Sequence, residues 1–318
     1  MRSGEGPFPP ARRTARGGRV EFALALTPRA TAVTLVFMAD VTEEMIRLAT
    51  EIFEISHCVE IGAPGGQKAV RKVVVHGATF VLKVIALSPT APDALRRAER
   101  EVELLSSLDS PHVVRVASSL EELGDPVVAA AWLEEYLDGE DLTGLLGCKW
   151  SWDEVAALGI QVADGLAAGH EVGVVHRDLS SNNVRKLAIG DFKVLDFGFA
   201  RHTLRSGITV AGQPGTPGFL SPEHLNSFSG QPMPSSDVFC VGILMFAALT
   251  GQLPIPYRGD DDDYLRRLSS VDVALDLATV RADLSASQVE LVRRCLHPQP
   301  ARRFANGAKL RDAIGVLM

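Results

Sequence analysis

Strand-like and helix-like segments are separated along this chain of 318 residues. Between about residues 55 and 87, valine-rich segments divided by glycine clusters and by His76-Gly77 predict three β-strands. The segments "VVRVA" (113–117) and "VVAAAWLEEYL" (127–137) predict two more strands. After residue 139 the pattern is mainly helical. Strands in the first part and helices in the second predict an α+β fold.

Three helices are indicated by local signals. The segment "APDALRRAEREVELLSSL" repeats Leu95, Ala98, Val102 and Leu105 at helical spacing. A capping box, "SWDE" at 151–154, predicts the start of a second helix. The segment "SDVFCVGILMFAALTG" is apolar almost all round, which is typical of a buried helix and too short to span a bilayer.

The first residues of the chain differ in composition from the rest. Residues 1–37 begin with an arginine-rich, glycine- and proline-containing stretch, and we predict a disordered extension. Residues 38–54 begin at Met38, a plausible natural start, and are predicted as a helical lead-in capped by Thr42. The extension is therefore expected to be dispensable for the domain that follows.

Composition argues against several classes of partner. The net charge of −7 is unfavourable for binding nucleic acid, which depends on clustered Lys and Arg. The longest apolar stretch, residues 20–38, is interrupted by Glu21, Pro28 and Arg29, so no membrane span is expected. The four cysteines form no CxxC pair, which fits a reducing cytosol. We therefore expect a cytoplasmic protein without nucleic-acid or membrane partners.

Six short motifs follow one another along the chain. They are "VLK" ending at Lys83, "HRDLSSNN" (176–183), "DFG" (196–198), "GTPGFLSPE" ending at Glu223, "SDVFCVG" with Asp237, and "RCLHPQPARRF" with Arg303. In this order they resemble the eukaryotic-like Ser/Thr protein kinases found in bacteria. The resemblance covers residues 55–318 and implies two lobes, a β-rich lobe over 55–136 and a helical lobe over 137–318. It also implies that Arg303 pairs with Glu223.

The resemblance assigns roles to five side chains. Lys83 would hold the α- and β-phosphates of ATP and pair with Glu101. Asp178 would orient the hydroxyl of a protein substrate and accept its proton, and Asn183 and Asp196 would bind Mg²⁺. The other ATP-binding positions implied are Ile61, Gly62, Gly65, Gly66, Lys68, Val70, Val81 and Glu135.

The choice of Glu101 among the acidic residues of its helix follows from helical spacing. Glu101 lies on one face with Ala98 and Leu105, the apolar face, and so is predicted to point inward. Glu99 and Glu103 suit the surface.

Four positions depart from the kinase pattern. Lys68 stands where the last glycine of the Gly-rich loop is usual, and Ser180 replaces the catalytic-loop Lys. Glu134 falls at the gatekeeper position, and Arg185 replaces a Leu expected beneath the adenine ring. For the last two, a mutual ion pair and a slip in the alignment are both open. For the first two, we predict that Lys68 supplies the charge that Ser180 lacks, and a solvent-facing Lys68 is the alternative.

The function that the resemblance implies is phosphoryl transfer from ATP to a protein hydroxyl. Thr216 matches the Ser/Thr-type segment of the family, which favours Ser or Thr over Tyr as the acceptor. One alternative is an ATP-binding pseudokinase that acts as a regulatory interaction module. A small-molecule kinase is disfavoured by the complete segment from "DFG" to "SPE". Arg177 before Asp178 predicts control by phosphorylation of that segment, with Thr209 preferred over Thr203 and Ser206.

Overall fold

The computed structural model describes residues 40–61, 68–88, 93–197, 218–225, 233–270 and 276–318. Several predicted positions lie outside these ranges: the extension 1–37, Gly62, Gly65, Gly66, Gly198, Thr203, Ser206, Thr209 and Thr216.

The order of elements follows the predicted change from strands to helices. The elements are α1 Glu43–Ile52, β1 Ile55–Glu60, β2 Lys68–Val75, β3 Ala78–Ala86, α2 Ala94–Ser107, β4 Glu121–Leu123, β5 Ala129–Glu135, β6 Gly139–Asp141, α3 Trp152–Glu171, β7 Val184–Leu187, β8 Phe192–Val194, α4 Pro222–Leu225, α5 Pro234–Thr250, α6 Asp261–Ser270, α7 Leu277–Val280, α8 Ala286–Cys295 and α9 Gly307–Gly315. Short 3₁₀ turns cover Leu142–Gly144, Ser181–Asn183 and Pro300–Arg302.

The first lobe is built on a five-stranded antiparallel sheet in the order β1-β2-β3-β5-β4. Successive side chains of a strand point to opposite faces. One face buries apolar side chains such as Leu82 and Leu133, and α1 covers them with Met45, Ile46 and Ala49. The opposite face carries Lys83. This face is not covered by α1 and borders the cleft.

One predicted strand is wrong. The segment "VVRVA" forms only single bridges, from Val113 to Val194 and from Val116 to Glu134. The edge strand β4 falls instead at Glu121–Leu123. Val113 and Val114 bury their side chains in the core of the helical lobe, while Arg115 O and Ala117 N make backbone hydrogen bonds to β5, so this segment links the two lobes.

The helical lobe is organised around α5. Every residue of α5 from Ser235 to Thr250 is buried, and α3, α8 and α9 pack around it. This confirms the prediction of a buried helix. The predicted capping box at the start of α3 is also present, since Ser151 Oγ accepts from Glu154 N and Glu154 Oε2 accepts from Ser151 N. Among the described helices, none is both long enough and apolar enough to cross a lipid bilayer.

Candidate active site

The register of the large sheet gathers the first group of site residues. Lys83 on β3 pairs with Trp132 on β5 and with Val70 on β2, while Val81 pairs with Glu134. Directly opposed side chains of neighbouring strands share a face, and the diagonal pair Lys83–Glu134 shares it too. The backbone ladder therefore fixes a lysine and a glutamate side by side on the cleft face.

Lys83 is the centre of a buried charge cluster. Its side chain is 6% exposed, and its ammonium contacts Asp196 Oδ1, Glu134 Oε1 at 2.7 Å and Glu101 Oε1 at 3.7 Å. Burial by itself would lower the pKa of Lys83, but the charges of these three carboxylates outweigh it and hold the pKa well above its usual value. Lys83 is therefore a permanent cation at this end of the cleft.

Lys68 adds a second cation to the cluster. Its Nζ lies 3.2 Å from Asp196 Oδ1 and 3.9 Å from Glu101 Oε1. Burial opposes the ionisation of Asp196, yet Lys68 and Lys83 together keep its pKa far below the usual range. The side chain of Lys68 therefore points into the cleft, and the solvent-facing alternative does not describe this structure.

Glu101 takes the predicted orientation. The buried residues of α2 are Ala98, Val102 and Leu105, and the Glu101 side chain beside them is only 13% exposed. Glu99 and Glu103 are exposed, as predicted.

A β-hairpin brings the two polar motifs together. Val184 of β7 pairs with Val194 of β8, and Leu195 N donates to Asn183 O at 2.8 Å. Asn183 and Asp196 therefore lie side by side although 13 positions separate them, from 183 to 196. Asn183 Nδ2 donates to Asp178 O at 2.8 Å and to Asp178 Oδ2 at 3.3 Å, which leaves the amide oxygen as the atom that could bind a metal.

The catalytic-loop backbone is held by Asp237 of α5. Its carboxylate accepts from His176 N at 2.8 Å and from Arg177 N at 3.0 Å. Arg177 has a φ of 67°, a conformation that persists only where neighbouring contacts enforce it. These bonds position the loop immediately before Asp178.

Ser180 does not replace the missing lysine directly. It is fully buried, and its hydroxyl makes no hydrogen bond within the part of the chain that the structure describes. A neutral buried hydroxyl supplies no positive charge, whereas Lys68 reaches the same cleft from the opposite lobe.

Glu134 and Arg185 do not pair with each other. Glu134 binds Lys83 and accepts from Trp132 Nε1 at 3.0 Å. Arg185 donates to Leu137 O at 2.8 Å and to Gly139 O at 2.5 Å. The mutual ion pair considered from the sequence is therefore wrong. Glu134 is paired with residues of the large sheet, whereas Arg185 is bonded to backbone carbonyl groups of residues 137 and 139.

A cavity of about 160 Å³ opens between the lobes beside this cluster. It is lined by the predicted residues Ile61, Val70, Val81, Lys83, Glu135 and Asp196, and also by Val114, Glu134, Tyr136, Leu137, Arg185 and Leu195. Larger cavities, of about 810 and 510 Å³, are not lined by Lys83, although the second is lined by Glu101, so size alone does not locate the site. Val114, Tyr136, Leu137 and Leu195 were not among the predicted ATP-binding positions, because the types of these side chains do not distinguish a site from a core.

The predicted pair of Arg303 and Glu223 is present. Arg303 Nη1 and Nη2 donate to the two carboxylate oxygens at 2.5 and 2.9 Å, a bidentate arrangement. The Arg303 side chain is fully buried and its guanidinium lies 4.6 Å from the Phe239 ring centroid. This pair fixes the end of the "SPE" motif to the core of the helical lobe.

Comparison with known proteins identifies the family of this chain. The family model for the protein kinase domain matches residues 57–312, and the chain belongs to that family. It is 32% identical to the serine/threonine-protein kinase drp72 of Corynebacterium efficiens over 70% of this chain and 42% of that protein. It is 29% identical to PknA of Corynebacterium glutamicum over 70% of this chain and 47% of that protein.

A third relative is serine/threonine-protein kinase pkn2 of Myxococcus xanthus, 31% identical over 69% of this chain and 26% of that protein. The chain thus spans about a quarter to a half of the length of these relatives. The resemblance to bacterial-type Ser/Thr kinases and the two-lobed α+β fold are both confirmed. Members of the family generally use ATP with Mg²⁺.

Proposed function

We propose that this protein is a Ser/Thr protein kinase that transfers the γ-phosphoryl group of ATP to a hydroxyl of a protein substrate. The observation that carries the proposal is the convergence of Lys83, Asp178, Asn183 and Asp196 on one cleft. Phosphoryl transfer needs charge neutralisation and positioning more than covalent chemistry. Lys83 supplies positive charge for the phosphates, and Asp178, Asn183 and Asp196 supply the groups for positioning.

The side chains have distinct tasks in the proposed reaction. Asp178 accepts the proton of the substrate hydroxyl as its oxygen bonds to the γ-phosphorus and the bond to the bridging oxygen of ADP breaks. Lys83 holds the α- and β-phosphates, and the bond from Asn183 Nδ2 orients the Asp178 carboxylate. The residues that would hold Mg²⁺ are Asp196 and Asn183, whose oxygen atoms suit this hard cation. Bound there, Mg²⁺ would neutralise phosphate charge.

Partners and location follow the same reasoning. A kinase domain implies protein substrates, and we propose a cytosolic location because all four cysteines are free thiols. The expectation that nucleic acid is not a partner still rests on the net charge of −7.

Autophosphorylation with radiolabelled ATP tests the proposal. Wild-type protein should incorporate label, and Asp178→Asn should lose it while keeping its circular dichroism spectrum. Asp312→Asn is the matched control, because this aspartate is exposed on α9 and lies outside the cleft.

Asp196→Asn should also lose transfer and bind Mg·ATP more weakly, since it removes a metal ligand. Wild-type protein that binds ATP without transferring label to itself or to a panel of peptides would identify the pseudokinase alternative instead. Wild-type turnover by Asp178→Asn would refute the assignment of this carboxylate.

A further inference from the structure

The Lys83 ammonium lies at different distances from its three neighbouring carboxylates. The ammonium is hydrogen-bonded to Asp196 and lies 2.7 Å from Glu134 Oε1, whereas Glu101 Oε1 is 3.7 Å away. A nitrogen–oxygen separation of 3.7 Å is outside hydrogen-bonding range. Consistently, Glu101 Oε1 is buried and makes no hydrogen bond to any residue that the structure describes.

Glu134 is also the better anchored of the two glutamates. Its side chain is 4% exposed, and the same Oε1 that meets Lys83 accepts from Trp132 Nε1 at 3.0 Å. Lys83, Trp132 and Glu134 all lie on paired strands, so the β3–β5 ladder sets their spacing. Glu101 lies on α2, outside that ladder.

From this geometry we infer that Glu134 is the principal positioning residue for Lys83 and that Glu101 is an auxiliary one. The inference rests on the proposed kinase function and adds a residue to it. If Asp196 ligates Mg²⁺, Glu134 is the nearest remaining carboxylate, at 2.7 Å, that holds the Lys83 ammonium toward the phosphates. The position of α2 then has less influence on Lys83 than the β3–β5 register has.

Matched neutral substitutions rank the two glutamates. Glu134→Gln, Glu101→Gln and the exposed control Glu99→Gln each remove one negative charge with little change of shape. Titration with a fluorescent ATP analogue measures affinity, and steady-state kinetics separate KM for ATP from kcat. Losing this buried ion pair should weaken nucleotide binding about tenfold or more in Glu134→Gln, mainly through KM.

Glu101→Gln should weaken binding about two- to threefold, as expected for a contact outside hydrogen-bonding range. The control Glu99→Gln should stay within about twofold of wild type. An effect of Glu101→Gln as large as that of Glu134→Gln would overturn the inference. So would a Glu134→Gln protein that loses kcat and stability with unchanged nucleotide affinity, because that result describes a purely structural side chain.

A second measurement needs no nucleotide. Urea unfolding of Glu134→Gln, Lys83→Met and the double variant forms a cycle that isolates the coupling of the two residues. We expect the double variant to be more stable than the sum of the single effects predicts, since each single change leaves a buried charge with less compensation. Additive effects would contradict a direct Lys83–Glu134 pairing. If the wild-type protein fails to bind ATP, the proposed function fails while this cycle still decides the pairing.

Discussion

Asp237→Asn tests how the helical core holds the catalytic loop. Asp237 is fully buried in α5 and accepts three hydrogen bonds, from His176 N, from Arg177 N and from His170 Nε2 at 2.9 Å. His170 Nδ1 accepts from Gly307 N at 3.0 Å, so its proton must lie on Nε2. All three groups that face the carboxylate are therefore donors.

The magnitude of the loss follows from this donor arrangement. An amide in place of the carboxylate turns an NH₂ group toward at least one buried N–H, in either orientation. A buried donor without an acceptor costs about 1–3 kcal/mol. The surviving bonds change from a charged to a neutral acceptor, which removes about 1 kcal/mol more. We expect Asp237→Asn to lower the free energy of unfolding by about 2–4 kcal/mol and to lower kcat as the loop loosens.

Equilibrium unfolding in urea measures the first effect. The control is Asp312→Asn, whose exposed carboxylate pairs with Arg311 at 3.2 Å and should contribute at most about 1 kcal/mol. A free energy of unfolding for Asp237→Asn equal to that of the control would refute the reasoning.

The pH dependence provides a separate check. Burial opposes ionisation of Asp237, but His170 and the His176 N–H hold its pKa below the usual value. A lowered carboxyl pKa contributes stability above about pH 4, the usual aspartate value, and loses it as pH falls toward the folded pKa. The stability gap between wild type and Asp237→Asn should therefore narrow in acid.

Four further predictions concern other parts of the chain. Lys68→Ala should lower kcat/KM for peptide phosphorylation about 5- to 150-fold, and Ser180→Lys should restore part of it, whereas activity of Lys68→Ala within about twofold would contradict the exchange of charges. Mass spectrometry of active enzyme should find phosphate on the segment that contains Thr209, and an unmodified segment would contradict control by phosphorylation. Deleting residues 1–37 should leave activity and solubility unchanged, and loss of either would show that the domain begins earlier. Arg303→Met should lower the free energy of unfolding by about 3–5 kcal/mol in urea titrations, since it leaves the largely buried Glu223 carboxylate without its partner, and a loss below about 1 kcal/mol would contradict that pairing.

The sequence by itself determined the features that depend on near neighbours. The strands β2 and β3 follow from runs of valine around the His76-Gly77 turn, and the start of α3 follows from a capping box within four residues. The inward face of α2 follows from helical spacing, which identified Glu101 among three candidates. The order of motifs also indicated the pairing of Arg303 with Glu223, although that inference needed a family pattern.

Only the tertiary structure decided which side chains share the cleft and with whom. "VVRVA" has the composition of a strand, yet Val113 and Val114 bury their apolar side chains in the helical lobe, and the segment pairs with other strands only through single bridges. The partner of Glu134 depended on the register between β3 and β5, which placed Glu134 diagonally across from Lys83. Lys68 met Asp196 across 128 positions of sequence. A buried charge is stable only beside an opposite charge, and only the folded chain brings such distant residues within a few ångströms of each other.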